Sequence, residues 1–219
     1  MKRDSDPIGD AGLQFFGRMS ASISHELKNA LAIIKENAGL LGDYVAMMGK
    51  GTPVDPQRFQ TIAQRIDGQT RRADTIIKDL NQFAHSVDSS VKPVDLNNIL
   101  ELLVALHRRP AAMQQVSLEP QPADSAVVIT TAPFLLLNAL GLILAFALKT
   151  VPAGAVVAIA VGMDPSGAEI RFGGLKALAD LSADQFSGDH ENALLTVLGA
   201  KAIIDAEHCQ IIVRLPLQQ

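Results

Sequence analysis

The sequence predicts an α+β protein: a long antiparallel helical hairpin that forms a dimeric four-helix bundle, followed by a two-layer α/β sandwich. Three observations carry this. Apolar residues recur every three or four positions through the first 88 residues. Charge thins out near residue 90, from 11 Lys+Arg and 11 Asp+Glu in residues 1–90 to 8 and 12 in residues 91–219. Beyond that point, short β-like runs alternate with helix-like runs between turn signals.

The first stripe is Phe16, Met19, Ile23, Leu27, Ala30, Ile34, Ala38, Leu41, Val45 and Met48. It marks one helix, ended by Gly49, Gly51 and Pro53. Asp55 and Pro56 supply an N-cap and a first-turn residue for a second helix. Its stripe is Phe59, Ile62, Ile66, Thr70, Ala73, Ile77, Leu80, Ala84 and Val87. One hairpin leaves part of each long stripe uncovered, and a second copy covers it. Residues 1–12 read as a flexible start, 13–88 as the hairpin and 89–219 as the α/β domain.

Ser86 to Val94 reads as a polar linker, and Asp95 to about Met113 as a helix. β-like runs follow at Val116–Leu118, Ala126–Thr130, Ala155–Val161, Ala168–Phe172 and Gln210–Leu215. Helix-like runs fall at Pro133–Thr150 and Glu191–Ala206. Glu119-Pro120, Pro152-Ala153-Gly154, Asp164 to Gly167 and Ser187 to Asp189 read as turns. The apolar run Ala132–Leu148 reaches roughly 25 Å as a helix, short of the ~30 Å hydrocarbon core, and predicts a buried helix with no membrane insertion.

Composition narrows the function. With 219 residues, 48% apolar and 19% charged, the chain has enough apolar surface for a core. A net charge of −4 argues against a nucleic-acid binder held by a basic surface. One cysteine excludes an intrachain disulfide framework and a cysteine-rich zinc site. The basic start MKRDSD leads into no apolar stretch, so no signal peptide is read there and a cytoplasmic location is expected.

The informative stretch is Ser22-Ile23-Ser24-His25-Glu26-Leu27-Lys28-Asn29. Ile23 belongs to the apolar stripe, and His25 stands about 200° round the helix from it, so the imidazole points outward. Ser22, Lys28, Asn29 and Ala32 lie near His25 at helical spacing. An outward imidazole can accept a phosphoryl group on nitrogen, and a neighbouring carboxylate can orient the ring or take its proton. Position alone marks only a surface histidine. A helical H-E-x-x-H zinc site fails because residue 29 is asparagine. Ser24, His25 and Glu26 cannot form a triad, because adjacent helical residues do not face one another.

Ser22–Asn29 resembles the H-box of HisKA-type histidine kinases, and the resemblance extends over residues 13–88, which in that family are the dimerisation and phosphotransfer domain. Pro93-Val94-Asp95-Leu96 is similar to the usual entry into the ATP-binding domain that follows. The resemblance implies that His25 is the phosphoacceptor and that Glu26 assists proton transfer. It implies that Asn29 positions water for hydrolysis of a partner's aspartyl phosphate. Ser22, Lys28 and Ala32 then line the face met by a response-regulator receiver domain. Ala30 stands where the family has proline, which implies a straighter helix after the histidine.

The second domain resembles the family's ATP-binding fold in outline and departs from it in chemistry. Leu142 and Phe146 stand where the family has metal-binding asparagines, and Asn138 is out of register. Ile170 to Gly174 lacks the aspartate of the adenine box, and Leu194 to Gly199 carries one glycine where the lid box has several. Hard cations need oxygen ligands and phosphates need backbone N–H groups, so ATP binding is not expected. Mg²⁺ is expected on the partner receiver. The reading is a histidine phosphotransfer protein of a bacterial phosphorelay, homodimeric, placed between receiver domains and in some arrangements downstream of a histidine kinase. The alternatives are an aspartyl-phosphate phosphatase, a non-catalytic scaffold and an active sensor kinase.

The remaining histidines read as structural. His85 and His107 sit at predicted helix ends, His107 beside Arg108 and Arg109, and His190 and His208 fall in loops. Cys209 reads as a packed small hydrophobe, and Lys28, Arg65, Arg71 and Arg72 as surface charges.

Overall fold

The structure is a computed structural model that describes residues 7–88, 90–165, 167–176, 178 and 188–217. It divides into two compact units: residues 19–81, and residues up to 18 together with 82 onward.

The first of these is the hairpin. Helix α1 runs Pro7–Gly49 and α2 runs Pro56–Ala84. Gly51 at φ +79° turns the chain between them, and Asp55 accepts a hydrogen bond from the Gln57 N–H at 2.9 Å, as expected of an N-cap. Residues 7–12, expected to be flexible, are helical; residues 1–6 lie outside the described residues.

Within the hairpin, Met19, Ile23, Ala30, Ile62, Ala73 and Ile76 are buried, and Tyr44 packs edge-on against Phe59. The two apolar stripes hold, but the chain buries only one flank of each. On α1 the inward sector is Met19, Ile23, Ala30 and Asn37. Leu31 and Val45 remain exposed, and they fall with Leu27, Ile34 and Ala38 in a sector roughly 70° away; Met48, exposed near the end of α1, shares the phase of the inward sector. On α2, Ile76, Gln69 and Phe83 turn inward, while Thr70 and Ile77 of the expected stripe are exposed, as is Val87 just beyond its end. The periodic pattern marks an apolar arc wider than one partner helix can cover.

The α/β unit holds a five-stranded sheet in the order β2-β4-β5-β7-β6, with β2 (Ser117–Gln121) parallel to β4 (Val156–Asp164) and the other pairs antiparallel. Strands β5 (Gly167–Gly173), β6 (Lys201–Asp205) and β7 (Gln210–Leu215) complete it. One face is apolar and buried, carrying Val157, Ile159, Ile170, Phe172, Ile211 and Val213. The opposite face carries Glu119, Arg171, Lys201 and Arg214. Helix α3 (Leu96–Met113) lies against β2 and β4, and α4 (Pro133–Thr150) packs on α3 and on α5 (Asp189–Val197). This is the expected two-layer arrangement. By length and composition α4 could cross a membrane, but 61% of it is buried in this unit.

Several expectations need correction. The segment read as a linker ends in strand β1 (Lys92–Asp95), which pairs antiparallel with β3 (Val128–Thr131). Asp95 anchors that junction by accepting from the N–H groups of Asn97 (3.0 Å) and Val127 (3.2 Å). Glu119-Pro120 does not turn the chain; Pro120 lies in β2, an edge strand, where its missing N–H costs little. The run Glu191–Ala206 is a helix only to Val197. Gly199 at φ +60° stops it, and the β-branched pair Ile203-Ile204 continues as β6, paired with β7.

Four phenylalanines close the base of this unit. Phe15 and Phe16 of α1, Phe83 near the end of α2 and Phe134 at the start of α4 lie with ring centroids 5.2–6.4 Å apart. A Cβ at Gly12 would stand 3.3 Å from the Phe134 ring, which is why the helix passes so close there.

Candidate functional site

His25 is exposed on α1, roughly 130° from the sector that faces α2 and 160° from the open apolar sector. Lys28, Asn29 and Ala32 are exposed with it on the same side, and Ser22 is half-buried at its edge. The helix passes through Ala30 without a break, and Ala30 is fully buried in the hairpin. A proline there would lack the N–H that bonds back to residue 26, so alanine keeps the helix under the histidine continuous.

Glu26 does not share the His25 face. One residue on, its side chain swings about 100° toward α2 and is 14% exposed. There Arg72 of α2 brings Nη2 to 3.8 Å from Glu26 Oε2. Arg72, expected as a surface charge, thus stands against Glu26 across the hairpin. Gln69, one turn from Arg72, has its Oε1 buried with no hydrogen-bond partner among the described residues. The site therefore offers an accessible ring nitrogen, an accessible amide one turn on, and a carboxylate one residue away held at the hairpin seam.

In the α/β unit the α4 face that would meet a nucleotide presents Leu142 and Phe146, both half-buried. Asn138 is fully buried, and neither its Nδ2 nor its Oδ1 has a partner among the described residues. An amide with no exposed surface cannot ligate an arriving cation. After β5, Gly174 at φ +85° turns the chain so tightly that a Cβ would meet the Val156 carbonyl. No group of three or more His, Cys, Asp or Glu that could hold a metal occurs among the described residues. Among the described residues, Leu142, Phe146 and the enclosed Asn138 bring no exposed side-chain oxygen to this face of α4. The segment between residues 179 and 187, part of the expected lid region, lies outside the described residues.

The other histidines divide by burial. His107 is not at a helix end, because α3 continues through Pro110 to Met113. It is buried, with Nδ1 2.9 Å from the Leu103 carbonyl and its ring against Gly141, where an added Cβ would come within 3.1 Å. Burial holds its pKa below the usual histidine value. His85 follows the end of α2, with Nδ1 2.7 Å from Asp88 Oδ2. His208 sits in the β6–β7 turn against Asp205, which raises its pKa, and Asp205 is lowered to about 2 chiefly by hydrogen bonds from Gln210 and His208. His190 lies on α5 rather than in a loop. Cys209 is not a core residue; it is half-buried in that turn at φ +53°.

Residues 17–87 match the His Kinase A (phospho-acceptor) domain. The hairpin is similar to a HisKA domain over that segment. HisKA domains act as dimers and work with response regulators in two-component signal transduction. His25 lies within the matched segment. Among solved structures, the catalytic domain of histidine kinase ThkA is similar at 10% identity and a TM-score of 0.51, over 59% of this chain and 99% of its own. That likeness shows the fold of a histidine kinase catalytic domain in this chain. Histidine kinase AdeS of Acinetobacter baumannii is similar at 11% identity and a TM-score of 0.47, over 88% of this chain and 98% of its own. A bacterial phosphotransferase is similar at 13% identity and a TM-score of 0.48, over 92% and 95%.

Proposed function

We propose that this chain is a histidine phosphotransfer protein that carries phosphate on His25 between receiver domains and takes none from ATP. The observation that carries the reading is the contrast between the two units. The HisKA hairpin keeps His25 exposed with Glu26 and Asn29 in place, while the kinase-like unit presents Leu142, Phe146 and an enclosed Asn138 where a nucleotide and its cation need oxygen donors.

In the transfer, a His25 ring nitrogen uses its lone pair to form an N–P bond as the aspartyl O–P bond of a receiver breaks. The aspartate leaves as carboxylate with the bonding electrons. The proton on the other ring nitrogen passes to the Glu26 carboxylate and on to water. The reverse step restores the imidazole and delivers the phosphoryl group to a second receiver. The receiver supplies the Mg²⁺ that balances charge on the phosphoryl oxygens. Ser22, Lys28 and Ala32 form the surrounding contact face. The exposed sector of Leu31, Val45 and Ile77 supports a second copy completing a four-helix bundle.

Asn29, exposed one turn from His25, favours a second reading in which its amide orients water against the receiver's aspartyl phosphate. The test has two arms. Incubated with labelled ATP and Mg²⁺, the protein is expected to acquire no label; label that disappears in His25→Ala would make it a kinase. Against purified receiver domains charged with labelled acetyl phosphate, label is expected to move to the wild type and not to His25→Ala. Loss of label to free phosphate, unchanged in His25→Ala and slowed in Asn29→Ala, would replace transfer by hydrolysis. Receiver binding with neither transfer nor hydrolysis would make the chain a scaffold.

A further inference from the structure

We propose that Arg72 is a positioning residue for the His25 site, holding the Glu26 carboxylate at the hairpin seam beside the phosphoacceptor. The inference rests on the reading of His25 as phosphoacceptor and Glu26 as its proton acceptor, and it assigns a role on the opposite helix that the H-box does not contain.

Glu26 extends toward α2, and its side chain is 14% exposed. Its neighbours along α1 are Ser22, Ile23, Asn29 and Ala30, with His25 adjacent; the α2 residues flanking Arg72 on the same face are Gln69, Ala73 and Ile76. Arg72 forms the only ion pair with Glu26 among the described residues. The guanidinium is charged at every working pH. At 3.8 Å the contact is an attraction without a fixed hydrogen bond, which keeps Glu26 near the seam while leaving it able to turn to the ring. Arg72 is itself 50% exposed, so it can be replaced without opening the core.

The test uses the full chain and phosphoramidate, a donor that needs no receiver. A His25 ring nitrogen forms the N–P bond, the donor's P–N bond breaks, ammonia leaves, and the proton of the other ring nitrogen goes to Glu26. Rates of phosphohistidine formation are compared for wild type, Arg72→Gln, Arg72→Lys, Glu26→Gln and the Arg72→Gln/Glu26→Gln pair, with folding checked by circular dichroism. Arg72→Gln is expected to slow the reaction about tenfold, within the coupling range of contacting residues. Arg72→Lys restores most of the rate. In the Glu26→Gln background, Arg72→Gln has no further effect. An equal loss in both backgrounds overturns the proposal, because Arg72 then acts on something other than Glu26. A slow Glu26→Gln with an unaffected Arg72→Gln overturns the proposal and spares the reading of Glu26. A Glu26→Gln as fast as wild type overturns both.

Discussion

Replacing Asn138 by leucine is expected to stabilise the α/β unit. Asn138 sits on α4 with no exposed surface, and neither end of its amide has a partner among the described residues. Burying an unpaired amide costs about 1–3 kcal/mol by mutational measures. Leucine has the same number of side-chain heavy atoms, branches at the same place and forms helix more readily by a few tenths of a kcal/mol. The expected gain is about 1–3 kcal/mol, or roughly 3–8 °C in Tm for a domain of this size. Thermal melts followed by circular dichroism, with and without Mg²⁺, measure it; Asn138→Asp, which buries a charge, should melt lower. A Tm for Asn138→Leu that falls by more than about 2 °C would mean that the amide is hydrogen-bonded and that its burial has been misjudged. A Mg²⁺-dependent rise in the wild-type Tm that the variant loses would show that Asn138 does reach a cation, and would refute the argument that this helix has lost its donors.

Two further outcomes follow from the same packing. His107 has a folded pKa below its unfolded value, so the unfolded chain binds the extra proton first. Its contribution is complete above about pH 6.5 and is lost as pH falls below that, at up to about 1.4 kcal/mol per pH unit; urea melts across pH 5–8 should show this slope, and His107→Leu should flatten it. Phe83→Ala removes a fully buried ring that contacts Phe15, Phe16 and Phe134, and should cost about 3–5 kcal/mol in urea unfolding. A cost under 1 kcal/mol would mean that the aromatic base is loosely packed.

What was legible in the sequence is local. The stripes of α1 and α2, the Asp55 cap and the outward direction of His25 depend only on spacing along one helix. The burial of α4 was legible because its apolar residues run all round the helix, which only an interior or a membrane accepts. Where local signals conflicted, the reading failed. Glu191–Ala206 has helix formers at both ends, but its helix stops at Gly199 because Ile203 and Ile204 find a partner strand in β7, downstream in the chain. Pro120 reads as a turn residue until β2 is known to be an edge.

The sequence by itself determined that a helical hairpin presents an outward histidine followed by glutamate and, one turn on, an asparagine. It also determined that an apolar α/β unit follows, with Leu142 and Phe146 in its longest apolar run. Only the tertiary structure decided which flank of each apolar arc the chain covers itself, that Arg72 stands against Glu26, and that His107 and Asn138 are enclosed. The physical reason is the range of the interactions. Helical phase follows from the 3.6-residue repeat and is set within a few turns. Burial and ion pairing depend on which distant segment arrives alongside, and that depends on the packing of the whole unit.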